Sequence, residues 1–392
     1  MTPRLTDQLL DRVRERLTAG TADLDAAGVA AALRAESGGL LGDADLLEAL
    51  RTLETELTGA GPLDALLDDP AITDVLVTAP DGVWADRGRG LERVAIGFPD
   101  EAAVRRLAQR LAIAAGRRLD DAQPWVDGRL PSTPQRTFGV RLHAVLPPVA
   151  PAGTCISLRV LRPATQHLDS LVRAGAIAPE AAELLDRIVR ARLAFLVAGG
   201  TGAGKTTLLS ALLARVDPAE RIICVEDSAE LAPNHPHVVR LVARQANVEG
   251  VGRVDVRDLV RQSLRMRPDR IVVGEVRGTE VIDLLAALNT GHDGGAGTVH
   301  ANSPDEVPAR LEALAAPGGL GRAALHSQLA AAVQVVLHVH REASGRRYLR
   351  DIGVLDRRED DRVVVRSAWA PGRPDGPGRD RLDRLLAARC AR

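Results

Sequence analysis

Lysine is almost absent from this chain of 392 residues: of its 51 basic side chains only Lys205 is a lysine, and the others are arginine. Aromatic residues make up 2% and the net charge is −1, so there are few rings to stack on bases and no basic excess to hold a polyanion. Nucleic acid is disfavoured as the main substrate. The three cysteines, Cys155, Cys224 and Cys390, are far apart and form no C-x-x-C pair. That excludes a readable disulfide framework or zinc site and fits a reducing cytoplasm. No apolar run approaches the roughly 18 residues of a membrane span, and the first residues lack the basic-then-apolar layout of a signal peptide. Membrane contact is therefore expected to be peripheral.

What is present is ample core material, 45% hydrophobic residues, and one glycine-rich stretch around which the rest is organised. Gly199-Gly200-Thr201-Gly202-Ala203-Gly204-Lys205-Thr206-Thr207 fits G-x-x-x-x-G-K-[ST]. It lies between an apolar run, Leu193 to Val197, that reads as a buried strand and a stretch with Leu208, Leu209, Leu212, Leu213 and Val216 on helical spacing. Strand, turn and helix in that order are what a phosphate-binding loop requires. Glycines let backbone N–H groups curl around an anion, the helix N-terminus adds partial positive charge, and Thr206 offers a hydroxyl to magnesium. The single lysine stands where a slim ammonium must reach between phosphates, which a broad guanidinium does not do in the same way. ATP with magnesium is the expected ligand.

The chain divides by pattern. Residues 1–60 read as a helical extension, with Leu5, Leu9, Val13 and Leu17 four apart. Residues 61–162 read as an α+β domain: short β-like runs at Ile72 to Val77, Val83 to Asp86, Arg93 to Phe98, Phe138 to Val145 and Ile156 to Val160, and a helix over Val104 to Leu111. Residues 163–180 read as a linker. Over 181–370 strand and helix signals alternate, which predicts a largely parallel, helix-covered α/β sheet. Ser303-Pro304-Asp305-Glu306 reads as a capping box opening a helix. Pro371 to Gly378 marks the expected end of the fold, leaving 371–392 as linker and tail.

Acidic residues follow two predicted strands, Glu226 to Glu230 after Ile222 to Val225, and Glu275 after Ile271 to Gly274. In parallel sheets ligands bind beyond the carboxyl ends of strands, so both clusters should face the phosphate loop. A carboxylate there orients or deprotonates the attacking water, or holds magnesium through water. Gly274 occupies the position where many P-loop enzymes carry a magnesium-binding aspartate. Glu275 is then expected to do that work, or the metal leans on Thr206 and water. His292 and His300 sit among glycines and asparagines, and without a third ligand spaced with them the expected role is ordering of the γ-phosphate rather than metal binding.

Four segments together resemble a known family. They are the phosphate loop, Val225 to Leu231, Arg265 to Gly278, and Asn289 to Asn302. They are similar, in order, to the Walker A, Asp box, Walker B and His box of the type II/IV secretion ATPase superfamily. The resemblance covers roughly residues 55–345 and is nearest to the CpaF-like ATPase of tight-adherence (Flp) pilus assembly, since three scattered cysteines exclude the four-cysteine zinc element of the extension ATPases. It implies a PAS-like N-domain joined to a RecA-like P-loop domain, assembled as a cytoplasmic homo-hexamer. Hydrolysis of ATP would work a polytopic inner-membrane platform protein. It also implies that Arg141 and Arg159 approach the phosphates, and that Lys205, Glu226, Glu230, Glu275, His292 and His300 carry the chemistry. A conjugal-transfer ATPase is the near alternative within the superfamily, and a nucleotide-binding scaffold with little turnover is the alternative outside catalysis.

Overall fold

The computed structural model describes residues 59–130, 138–162, 164–246 and 250–390. The helical extension expected over the first 58 residues lies outside them. The chain separates into two compact units that meet between Leu161 and Arg162.

The first unit is one mixed α+β layer pair. After a short helix, α1 (Asp64–Leu67), its strands are β1 (Asp74–Ala79), β2 (Gly82–Asp86), β3 (Leu91–Arg93), β4 (Trp125–Leu130), β5 (Gly139–Val145) and β6 (Cys155–Leu161). They form a six-stranded sheet in the order β3-β2-β1-β6-β5-β4 with antiparallel neighbours. Strict alternation makes it two-faced: Val140, Leu142 and Ala144 are buried while Arg141 and His143 take the other face. The buried face packs on α2 (Glu101–Ala114) through Val104, Leu107, Ala108 and Leu111, and Asp100 caps that helix by accepting from Ala103 N–H at 2.7 Å. Two local expectations differ. The run Arg93 to Phe98 pairs only as far as Arg93, and β4 was not among the expected strands because Asp127-Gly128-Arg129 at its centre is poor in β-formers.

The second unit holds an eight-stranded sheet in the order β14-β13-β12-β7-β11-β10-β8-β9. The strands β7 (Phe195–Ala198), β8 (Ile222–Glu226), β9 (Val238–Val242), β10 (Arg270–Val276), β11 (Ala296–Val299) and β12 (Val335–Arg341) run parallel, and β13 (Arg347–Arg357) and β14 (Val363–Trp369) extend the sheet antiparallel. Both faces are covered, as a parallel sheet demands. Phe195 and Val197 of β7 join a core with α3 (Leu168–Arg173), α4 (Pro179–Arg190) and α5 (Lys205–Leu213). Leu196 and Ala198 join the opposite core with α6 (Val256–Ser263), α7 (Glu280–Asn289), α8 (Val307–Ala315) and α9 (Arg322–Ala332).

Three expectations are corrected here. Residues 163–180 are not a bare linker, because α3 lies within them and Leu168, Leu171 and Ile177 are buried in the core around α5. Pro371 to Gly378 is a turn and not the end of the fold: α10 (Arg379–Cys390) follows, with Leu382 and Leu386 buried four residues apart in the same core. Ser303 does not cap with its hydroxyl; Glu306 instead accepts from Asn302 N–H at 3.0 Å, and a 3-10 turn, Pro304–Glu306, precedes α8.

One buried charge ties the sheet's amino-terminal edge together. Arg270, 1% exposed, donates twice to Glu220 (2.8 and 3.0 Å), to Val189 O (3.0 Å) and to Gly294 O (3.3 Å). Partners on several sides are what make a buried guanidinium tolerable.

Candidate active site

β7 ends at Ala198 and residues 199–204 turn directly into α5, whose Leu208, Leu209, Leu212 and Leu213 are fully buried. The helix is fixed in the core, so the first-turn N–H groups that lack partners within it are fixed too. Gly204, its N-cap, has φ +97°, a left-handed value that glycine adopts without strain. Gly200, Thr201 and Gly202 line the exposed rim of the loop and Ala203 its buried base, with Thr206 and Thr207 half-buried at the start of the helix. Lys205 is buried; its Nζ donates to Gly199 O (3.1 Å) and Gly200 O (2.9 Å) and stands 3.5 Å from His300 Nε2. Burial pulls its pKa below the usual lysine range, and the nearby Glu275 charge opposes that pull.

Because β7, β10 and β11 are parallel neighbours, their carboxyl ends lie together, and this brings Glu275 and His300 to Lys205. Glu275 Oε1 is 2.5 Å from His300 Nε2, and its Oε2 is held by Arg277. Burial raises the Glu275 pKa, but the Arg277 hydrogen bond and the charges of Arg277, His300 and Lys205 outweigh it and hold the carboxyl below its usual range. Burial and then the Lys205 charge lower the His300 pKa, against the opposing pull of the Glu275 carboxylate.

The other acidic cluster divides its labour. Glu226, 3% exposed at the end of β8, accepts from Glu230 N–H (3.0 Å) and Leu231 N–H (2.9 Å) through Oε1, while Oε2 is buried without a hydrogen-bond partner. Burial pushes its pKa up to about 7 against the pull of those two N–H groups. Its carboxylate pins the loop that carries Glu230. Glu230 Oε2 accepts from Thr206 Oγ1 at 3.4 Å, so the carboxylate that meets the loop's threonine is Glu230 and not Glu275. A hydroxyl and a carboxylate side by side are hard oxygen donors that suit magnesium, which keeps most of its waters and needs few protein ligands. In keeping with that, no group of three or more His, Cys, Asp or Glu among the described residues is arranged to hold a metal by itself.

His292 is not brought to the others. Ala296, the first residue of β11, pairs with Phe195 at the start of β7, whereas the phosphate loop follows the end of β7. His292 therefore lies at the amino-terminal edge of the sheet, the length of β11 away from His300, roughly 13 Å. Its Nδ1 is 3.0 Å from Ala287 O at the end of α7. The expectation of two histidines at one γ-phosphate is corrected, and the glycines between them serve packing: a Cβ on Gly295 would lie 2.4 Å from Leu288 Cδ2 and 2.6 Å from Ile271 O.

Arg141 and Arg159 belong to the first unit. They face one another across β5 and β6 on the polar face of its sheet, where Arg141 bonds Asp127 (3.2 and 2.8 Å) and Arg159 bonds Asp74 (2.8 Å). With His143 and Ser157 they line a cavity of about 330 Å³.

Residues 56–362 match the family model described as Type II/IV secretion system protein. The chain belongs to that family. It is 68% identical over 352 residues to Rv3659c of Mycobacterium tuberculosis, a chain whose name assigns it provisionally to conjugal transfer, covering 90% of this chain and 100% of that one. It is 31% identical over 309 residues to the type IV secretion system protein VirB11 of Brucella suis, covering 71% of this chain and 84% of that one. The solved structure of the Legionella pneumophila ATPase DotB shares the fold, with a TM-score of 0.52 at 17% identity over 84% of this chain and 85% of that one. The loop, the glutamates and the family together make this chain an ATPase.

For this secretion-family ATPase, sequence reasoning missed Arg277. Arg277 was legible: it follows Glu275 by two residues, so near the end of β10 it shares the same face. Among the described residues no helix is long and apolar enough to cross a membrane.

Proposed function

We propose that the second unit hydrolyses ATP with magnesium as the motor of a membrane-bound secretion or transfer machine, and that the contact chain Lys205, His300, Glu275 carries the reaction. In this reading the backbone N–H groups of Gly200 to Lys205 cradle the phosphates, and the Lys205 ammonium exchanges its two carbonyls for phosphate oxygens. Glu275 orients the attacking water, with His300 and Arg277 fixing its two oxygens. Thr206 and Glu230 would hold magnesium, which neutralises phosphate charge when bound. Glu226, enclosed and bonded to backbone, is a positioning residue for Glu230 and not the base, since geometry takes precedence over a pKa near 7.

From the resemblance of its four motifs to the type II/IV secretion ATPases we infer a homo-hexamer at the cytoplasmic face of a membrane, working with polytopic platform proteins. Two machines fit. The scarcity of cysteine favours tight-adherence pilus assembly; the name of the 68%-identical mycobacterial chain favours conjugal transfer. Phosphate release by the purified chain with ATP and magnesium tests the motor reading: turnover abolished by Lys205→Ala is expected. Nucleotide binding without turnover would leave a scaffold in its place. Light scattering with a non-hydrolysed ATP analogue checks the ring, which a strict monomer would contradict.

A further inference from the structure

The phosphate loop has a second flank. In the sheet order β13-β12-β7-β11-β10, Glu275 and His300 come from β10 and β11 on one side of β7, while the hairpin joining β12 to β13 rises on the other. Val339 and Leu349 face each other across that hairpin and are buried in the same core as Ala203 of the loop. Arg341 and Arg347, each two residues from one of these and likewise paired across the hairpin, therefore project toward the loop. The contacts agree: Arg347 Nε donates to Gly202 O at 2.8 Å, its Cδ lies 3.7 Å from where a Cβ on Gly204 would stand, and Arg341 Nη1 lies 3.0 Å from where a Cβ on Gly202 would stand. Glycine at 202 thus leaves the loop open to the Arg341 guanidinium.

The pair Arg341 and Arg347 stands over the loop built for phosphates. We propose that Arg341 and Arg347 bind the phosphates that remain with ADP, on the side away from the cleaved bond. The assignment rests on the ATP-hydrolase reading and adds a second group of phosphate ligands to it. Glu275 and His300 mark the γ end from the β10–β11 flank, so cations on the β12–β13 flank address the opposite end of the triphosphate. Interactions made equally in substrate and product lower Kd without raising kcat.

The test is calorimetric titration of the full chain with ADP and with a non-hydrolysed ATP analogue, together with steady-state kinetics, for Arg341→Ala, Arg347→Ala, Arg347→Lys and Lys205→Ala. Arg341→Ala and Arg347→Ala should each weaken both nucleotides about tenfold, raising KM by a larger factor than they lower kcat, with partial recovery in Arg347→Lys. Their affinity should also fall less steeply with added salt than the parent's, as it does when a phosphate contact is removed. Equal salt dependence would reduce Arg347 to bracing Gly202 and overturn the assignment. A loss confined to the ATP analogue would overturn it by placing the arginines at the γ-phosphate. Unchanged affinity in both alanine variants, with binding lost in Lys205→Ala, would overturn it while leaving the ATP reading intact; normal binding by Lys205→Ala would overturn both.

Discussion

Gly274 is the floor on which Glu226 rests: a Cβ at Gly274 would stand 2.7 Å from Glu226 Cγ and 3.1 Å from its Oε1. The glycine sits where other P-loop enzymes place an acidic side chain, and here the space is filled from the neighbouring strand, since β8 and β10 pair in parallel. Gly274→Ala should therefore expel the Glu226 carboxylate from its bonds to Glu230 and Leu231. The expected cost is about 1–3 kcal/mol in denaturant unfolding, typical of overpacking, with turnover lowered as well. An alanine variant with unchanged midpoint and turnover would show that Glu226 is not pinned there.

His338, 1% exposed on β12, gives a signature in pH. Burial, aided by the Arg350 and His340 charges, pushes its pKa down to about 4. Between about 6.5 and about 4 the unfolded chain binds a proton that the folded one does not, so this histidine's contribution is intact above that window and lost as pH falls through it. Relative to pH 8, the parent at pH 5 should lose about 2 kcal/mol more than His338→Gln. Unfolding curves at the two pH values measure the difference, and parallel losses would refute the burial of a neutral imidazole.

The C-terminal helix belongs to the core. Leu382→Ala should cost about 2–4 kcal/mol, as expected for a fully buried leucine. A change under about 0.5 kcal/mol in thermal or denaturant unfolding would return α10 to the status of an appended tail.

These corrections show which parts of the chain could be read directly. The phosphate loop was legible because strand, glycines, lysine and helix are contiguous, and Glu275 because parallel order puts strand ends at one edge. The separation of His292 from His300 was not, since eight residues of sequence conceal that β11 lies between them. Gly295-Ala296-Gly297 reads as loop by composition, yet β11 begins at Ala296, and Leu288 against Gly295 and Val273 against Gly297 leave no room for larger side chains there. The helix α10 was hidden by its arginines and aspartates, among which only Leu382 and Leu386 reach the core.

Thr206 and Glu230 are expected to act together on magnesium. Glu230→Gln should raise the magnesium concentration giving half-maximal turnover about tenfold while leaving nucleotide affinity measured without magnesium unchanged. Titration of turnover with magnesium at saturating ATP reads this directly. An unshifted midpoint would remove Glu230 from the metal's surroundings.

Glu275, braced by Arg277 and His300, is proposed to act on the attacking water and not on nucleotide binding. The most direct measurement is the ATP affinity and the single-turnover rate of Glu275→Gln, determined side by side on the full chain. Affinity within about twofold of the parent and a rate lower by on the order of 10² or more are expected. A parallel loss of affinity and rate, or a rate unchanged, would contradict it.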